Sequence, residues 1–414
     1  MPARDPYEYP KLRWPLDVRP QEIDGKRILV LSCPLGIAEC PLGLVAQVGG
    51  ILGEFQGVLS VAQIDAKLKQ YGSTPEIIRE LIKLLDDSLF LDSPRFAAAS
   101  EKVKKEFIAA PDRAPYLAGL SYNLERGELE KEIDRLLAHG TKNFVPKLEK
   151  TTMLGLMSPH IDYRRGGVCY GITWSQIREH EHDLYLLAGT SHQYSELMFH
   201  LTKKDFLSPL GTLPTDKDLI EGVSKRYGPR SFADEFLHRR EHSLELQTPF
   251  LKRLKNKPAI APILVGSFHR MLVSGKRPSE FEIYEDFVGA LGEELKARVA
   301  SGTRVCFVAG VDMAHVGQTF GDKDPLTPEF MAEIEARDRI YLRTILEQDK
   351  EKLWSHIAED HDRRRICGFP TMYMMLDLFE RLNVRYKPVL FDYRQAVDYK
   401  TQCAVTFAGM GMYH

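Results

Sequence analysis

TTMLGLMSPHIDYRRGGVCYG, residues 151–171, is the stretch whose reading decides the fold. An apolar run from Met153 to Met157 has strand character, breaks at Ser158-Pro159 and is followed at once by His160. An imidazole therefore stands at the carboxyl end of a strand. Open α/β sheets keep their ligand sites at such ends, beside topological switch points, so His160 is the first site candidate.

Downstream of this stretch the same alternation recurs. Strand-like runs DLYLLAG (183–189), AIAPILVG (259–266), RVCFVAG (304–310), VRYKPVLF (384–391) and the closing CAVTFAGMGMY (403–413) are separated by helical patterns near 216–226, 243–255, 279–300, 327–347 and 368–382. Apolar strands with helices between them predict an α/β fold in three layers, a sheet covered on both faces. Upstream, GELEKEIDRLLAHG (127–140) reads as the helix that opens this domain.

The leading residues form a separate, smaller α+β unit. Residues 1–26 read as an extended arm and RILVLS (27–32) as a strand, followed by an apolar helix near Leu42 to Leu52. Ser60 is placed to cap VAQIDAKLKQYG, and Thr74-Pro75 opens the helix EIIRELIKLLDD with an N-cap and a proline at the first position. LFLDS (89–93) reads as a closing strand, and a Pro-containing linker sets the boundary near 112, giving domains 1–112 and 113–414. The helix at 75–87 carries at least as many acidic as basic groups (Glu76, Glu80, Asp86 and Asp87 against Arg79 and Lys83) and lacks the cationic face that phosphate contacts need, so it reads as a protein or peptide docking element.

Composition narrows the function further. The formal net charge of −2 argues against a polyanion-binding protein, and no basic block is present. No apolar stretch approaches the ~20 residues that span a bilayer, and the polar beginning MPARDPYEYPKLRWP does not read as a signal peptide, so a cytoplasmic protein is expected. The six cysteines lack CxxC spacing, which excludes a disulfide scaffold and a ribbon-type zinc site. The first of thirteen histidines is His139, so imidazole chemistry belongs to the second domain.

Three strand ends carry that chemistry: MLGLMSPH ends at His160, LYLLAGTSH at His192, and RVCFVAGVDMAH leads through Asp312 to His315. Convergent imidazoles at one sheet edge suit borderline metals such as iron, zinc and copper. In REHSLELQTPFL (240–251), His242 starts a helix that Ser243 is placed to cap, and the spacing is not that of HExxH. Cys367 stands just before a helix, where it reads either as a dipole-stabilised thiolate or as a buried inert thiol.

The ordered set SPHIDYRRGG (158–167), GTSHQ (189–193), EHSLELQTPFL (241–251), GVDMAHVGQTFGD (310–322), RICG (365–368) and DYRQ (392–395) resembles the Memo family. The leading unit resembles PqqD-like winged-helix domains, and the combination is similar to the Memo components of AmmeMemoRadiSam systems. The resemblance implies a fold similar to class III extradiol dioxygenases, with His160, His192 and Cys367 as metal ligands. It implies Asp312 and His315 beside them, His315 as acid/base, and His242 lining the pocket. Two imidazoles and a thiolate make a soft site with open positions; Fe(II) is the expected metal, with copper and zinc as alternatives. Asp162 stands where the family usually has a small residue, and is expected to hold a ligand, tune the metal or bind substrate. Arg164 and Arg165 read either as binders of an anionic substrate or as a solvated pair, and Gln193 and Gln395 are expected on the substrate side. The implied function is a mononuclear non-haem oxidoreductase acting on an unknown small molecule or peptide, with radical SAM and AMMECR1-type partners. The rivals are a metal-binding or peptide-recognition protein without turnover and, third, metal-free hydrolysis by Cys367 and a histidine.

Overall fold

The computed structural model describes residues 4–143, 151–177, 182–254 and 258–414. The chain divides into two compact units, Met1–Ala109 and Ala110–His414.

In the first unit Asp17–Ile23, Lys26–Ser32 and Leu42–Val45 form a three-stranded antiparallel sheet. The expected extended arm is thus partly a strand: Asp24 and Gly25, both at positive φ, close a two-residue hairpin between Ile23 and Lys26. The expected helix over Leu42–Leu52 is likewise corrected, because Leu42–Val45 pairs in the sheet and the helix is Gly49–Glu54. The helices Val61–Leu68, Pro75–Asp87 and Pro94–Ala109 follow. Ser60 and Gln63 form a capping box, and Thr74 accepts from the Ile77 amide. LFLDS is not a strand. Leu89 turns at positive φ and the next helix starts at Pro94, which leaves Leu91 room only for a single bridge to Leu12.

The second unit is built on one mixed sheet, ordered His315–Val316, Cys403–Tyr413, Met153–Ser158, Val305–Gly310, Leu184–Thr190, Ala259–Val265, Phe199–Leu201, with Lys387–Asp398 paired along Cys403–Tyr413. The four central strands are parallel. Along Leu184–Thr190, Leu184, Leu186 and Ala188 enter a core with Phe287, Leu291 and Met372, while Tyr185 and Leu187 join Tyr170, Trp174 and Phe250 in a second core. A strand buried on both faces has to be apolar throughout, which is why these runs show no alternation. The helices Tyr163–Ser175 and Lys350–Ala358 were not anticipated from the sequence, and the helix expected at 243–255 is broken into His242–Glu245 and Thr248–Arg253. Pro249, in the first turn of the second piece, has no amide to continue the first.

Register then positions the site. Gly310 lies level with Ser158 on one side and with Gly189 on the other. His160, Asp312 and His192 therefore leave the sheet within one layer. The closing strand runs antiparallel past the end of Met153–Ser158, pairing Met410 with Met157 and, further on, Val405 with His315. That overrun brings His315 to the same edge. No helix among the described residues is long and apolar enough to cross a membrane.

Candidate metal centre

At this edge one ligand nitrogen from each of His160, His192 and His242 lies within 4.8 Å of the others. The ring centroids are 5.0 Å apart for His160 and His192, 5.2 Å for His160 and His242, and 4.4 Å for His192 and His242. His160 is the floor at 2% side-chain exposure, whereas His192 and His242 are 29% and 35% exposed, so the cluster opens to solvent on their side. The short helix bearing His242 presses on the sheet end: a Cβ at Gly310 would stand 2.4 Å from the Ser243 carbonyl oxygen. Glycine is needed there for the approach. Ser243 does not cap, as the sequence suggested; its hydroxyl donates to the Thr190 carbonyl at 2.8 Å, and Glu241 caps by accepting from the His242 and Ser243 amides.

The tautomers follow from fixed acceptors. His160 Nδ1 donates to the Gly310 carbonyl at 2.9 Å, and His192 Nδ1 donates to Glu241 Oε1 at 2.9 Å. With Nδ1 of each ring committed to these acceptors, Nε2 is the nitrogen each offers toward a cation, the arrangement typical of metal-ligating histidines. Glu241, 6% exposed, also accepts from the His192 amide at 2.9 Å. Burial opposes its charge, but His192 and His242 outweigh that and hold its carboxyl well below the usual range. Burial, followed by the neighbouring His192 and His242, pushes His160 well below the usual histidine range, and burial and His192 lower His242 to about 4. His192 is the exception, raised by Glu241 and Cys367 against its burial penalty.

Cys367 brings a fourth donor, its Sγ 3.3 Å from His160 Nε2. Its loop can come this close because residue 368 is glycine: a Cβ there would lie 2.5 Å from Val311 Cβ and 2.6 Å from the Asp312 carbonyl oxygen. Of the two readings the sequence leaves open for Cys367, the surroundings favour the neutral thiol over the dipole-stabilised thiolate. Burial raises the thiol above its ordinary value, and His192 only partly offsets this. Three imidazole nitrogens and a thiol with their partner atoms fixed match the donor chemistry of a first-row transition metal.

Asp312 accepts from the His160 amide at 2.8 Å, and burial raises its carboxyl to about 7. Two backbone carbonyls orient His315: its Nδ1 donates to those of Met313 (3.1 Å) and Arg365 (3.2 Å). Burial and then His192 lower it to about 4.

The remaining residues are dispersed. Asp162 caps the helix Tyr163–Ser175 and pairs with Arg165 at 2.6 Å. Arg164 and Arg165 line a separate cleft of about 660 Å³ that includes none of the four donors, so they are not placed as binders of substrate at the cluster. Gln395 is committed to the Met331 carbonyl and the Tyr393 hydroxyl. Gln193 does lie by the cluster, lining a cavity of about 450 Å³ that shares Ser191, His192, Gly266, Ser267 and His269 with a second of about 460 Å³ reaching Cys367.

Supporting residues escaped the sequence reading. Gln247 donates to the Pro159 carbonyl at 2.8 Å and so holds the turn that carries His160. Asp338, fully buried, accepts from Arg364 (3.0 Å), Tyr393 (3.0 Å) and Thr406 (2.6 Å). The Arg364 carbonyl accepts from the His315 amide and the Thr406 hydroxyl from the Ala314 amide, so this carboxylate joins the Cys367 and His315 segments. One acid among several in a long helix, with Glu329, Glu333 and Glu335 beside it, carries no sequence signal of that role. For Glu241 a signal existed, an acid at a helix N-cap beside a histidine.

A family profile described as Memo-like protein matches residues 113–411. A MEMO1 family protein of Aquifex aeolicus is 28% identical over 338 residues, 82% of this chain and 83% of its own, a span longer than the second unit that must reach into the first. Similar relatives are MEMO1 family proteins of Nitrosopumilus maritimus, 25% identical over 264 residues (63% of this chain, 84% of its own), and Methanosarcina barkeri, 29% over 204 residues (49% and 68%).

Proposed function

The chain belongs to the Memo-like family, and on that footing we propose that its second unit is a mononuclear non-haem metal-dependent oxidoreductase whose metal is held by His160, His192 and Cys367, with His242 beside them. The observation that carries this reading is that His160 and His192, with Nδ1 donating to Gly310 and Glu241, turn their Nε2 atoms to one place, with the Cys367 thiol 3.3 Å from His160 Nε2. Fe(II) is the first choice of metal and copper or zinc the alternatives, since imidazole serves all three. When bound, such a metal supplies redox and Lewis-acid chemistry at an open coordination position.

The chain's own residues then have definite tasks. His315 is neutral at physiological pH and carries its proton on Nδ1, so its Nε2 is left to accept a proton from a bound substrate, as a base that burial weakens in the free protein. Gln193 and the cavities opening on His192 receive that substrate, a small molecule or peptide. The first unit acts as a docking module for radical SAM and AMMECR1-type partners.

A second reading is favoured by one observation. If Cys367 and all three histidines bind at once, four protein donors close a tetrahedral site of the structural kind, and the protein holds a metal without turnover. His315→Ala separates the two. Retained metal with lost turnover on an identified substrate supports the enzyme, and unchanged turnover removes His315 from the chemistry.

A further inference from the structure

The cleft that receives Arg164 and Arg165 stands apart from the metal centre. It lies between loop 119–124, the helix Arg126–Asn143 and the helix Tyr163–Ser175. Arg135 lines it from the first helix and Arg164 from the second, and neither has a carboxylate partner among the described residues. Elsewhere on this unit arginines are commonly paired, as Arg253 is with Asp134, Arg304 with Asp183 and Arg381 with Glu285. Asp162, beside the cleft, answers Arg165, and Glu132, which lines it, accepts from Asn123 at 2.8 Å. Three guanidinium groups against two carboxylates leave the cleft net positive.

Its other surface is apolar. Leu136 and Val168 line it, and Leu120 and Leu124 at the lip are 69% and 60% exposed. The wall is fixed in advance: Glu245, itself fully buried, accepts from the Leu117 amide (2.7 Å), the Tyr116 amide (2.9 Å) and the Tyr122 hydroxyl (2.7 Å), and is ion-paired with Arg113. A preformed wall spares a ligand the ordering entropy of the loop.

We propose that this cleft binds a small organic oxyanion, a carboxylate or phosphate head on an apolar body. Arg135 and Arg164 take the head, since the planar guanidinium fork matches both oxyanions. The leucines and Val168 cover the body. The site is independent of the metal.

Calorimetric titration of the full chain tests this with benzoate and phenyl phosphate, against acetate and inorganic phosphate as heads without a body. The aromatic anions bind more tightly than the bare ones. Arg135→Gln and Arg164→Gln each weaken binding about tenfold while leaving the thermal midpoint unchanged, as expected for exposed, unpaired groups. Leu124→Ser weakens only the aromatic anions, and His192→Ala binds them as the wild type does. No binding of any of the four, or unchanged affinity in both arginine variants, overturns the site. Equal affinity for bare and aromatic anions overturns the apolar subsite, and loss of binding in His192→Ala moves the ligand to the metal centre and overturns the assignment.

Discussion

The Sγ of Cys367 lies 3.3 Å from Nε2 of His160, across 207 positions of the chain. The loop that brings it there is tied by the Thr190 hydroxyl, which donates to the Cys367 carbonyl at 2.9 Å, and by the Gly368 amide, which donates to the Asp312 carbonyl. Gly368→Ala forces this loop away from Val311 and Asp312. The variant is expected to fold with reduced stability and to bind metal at least several-fold more weakly, read by competition with a chelator. Wild-type affinity would show that Cys367 is not held by this contact.

Glu241 accepts from the His192 ring at 2.9 Å and from the amides of His192, His242 and Ser243 at 2.9, 2.8 and 3.0 Å. Glu241→Gln keeps the shape but removes the charge that orients two imidazoles. Metal affinity should fall by about 10- to 100-fold with all candidate ligands intact. An unchanged affinity would reduce Glu241 to a helix cap.

The histidines at strand ends were legible because apolar strands are easily seen and whatever follows them sits at the sheet edge. The convergence of His160, Asp312 and His192 depends on the shared register of Ser158, Gly310 and Gly189, a property of strand pairing that no single segment carries. Arg164 and Arg165 show the opposite failure. They are near His160 in sequence, yet a helix begins at Tyr163 and its rotation carries them to another cleft. The Asp24-Gly25 hairpin was a readable signal, an Asp-Gly turn between short strands, which the proline-rich setting masked.

Asp338→Ala leaves Arg364, 4% exposed, with Asp360, 3.6 Å away and itself shared with Arg337, as its remaining carboxylate. Breaking a buried pair from one side costs about 3–5 kcal/mol, so denaturant unfolding should shift strongly to lower concentration. A loss below about 1 kcal/mol would mean that Asp360 alone suffices to hold Arg364.

Acid should destabilise the fold through His200 and His238, each 1% exposed. Burial lowers them to about 4 and about 3, whereas in the unfolded chain they titrate near 6.5. Above that value they add no pH dependence. Below it the unfolded chain takes up protons that the folded chain refuses, so stability falls as pH drops, by about 1.4 kcal/mol per pH unit for each ring until its folded pKa is reached. Unfolding midpoints between about pH 7 and about pH 5 should show this decline, and it should be shallower in a His200→Gln, His238→Gln double variant. A decline of equal slope in that variant would assign the acid sensitivity to other groups.

The central claim is that His160, His192 and Cys367 hold a metal. Its most direct test is metal quantification on protein purified without oxygen, for the wild type and for His160→Ala, His192→Ala and Cys367→Ala. Near-stoichiometric iron, copper or zinc in the wild type, lost in each variant while the chain remains folded, is the result this account predicts. Full retention of metal in all three variants would contradict it.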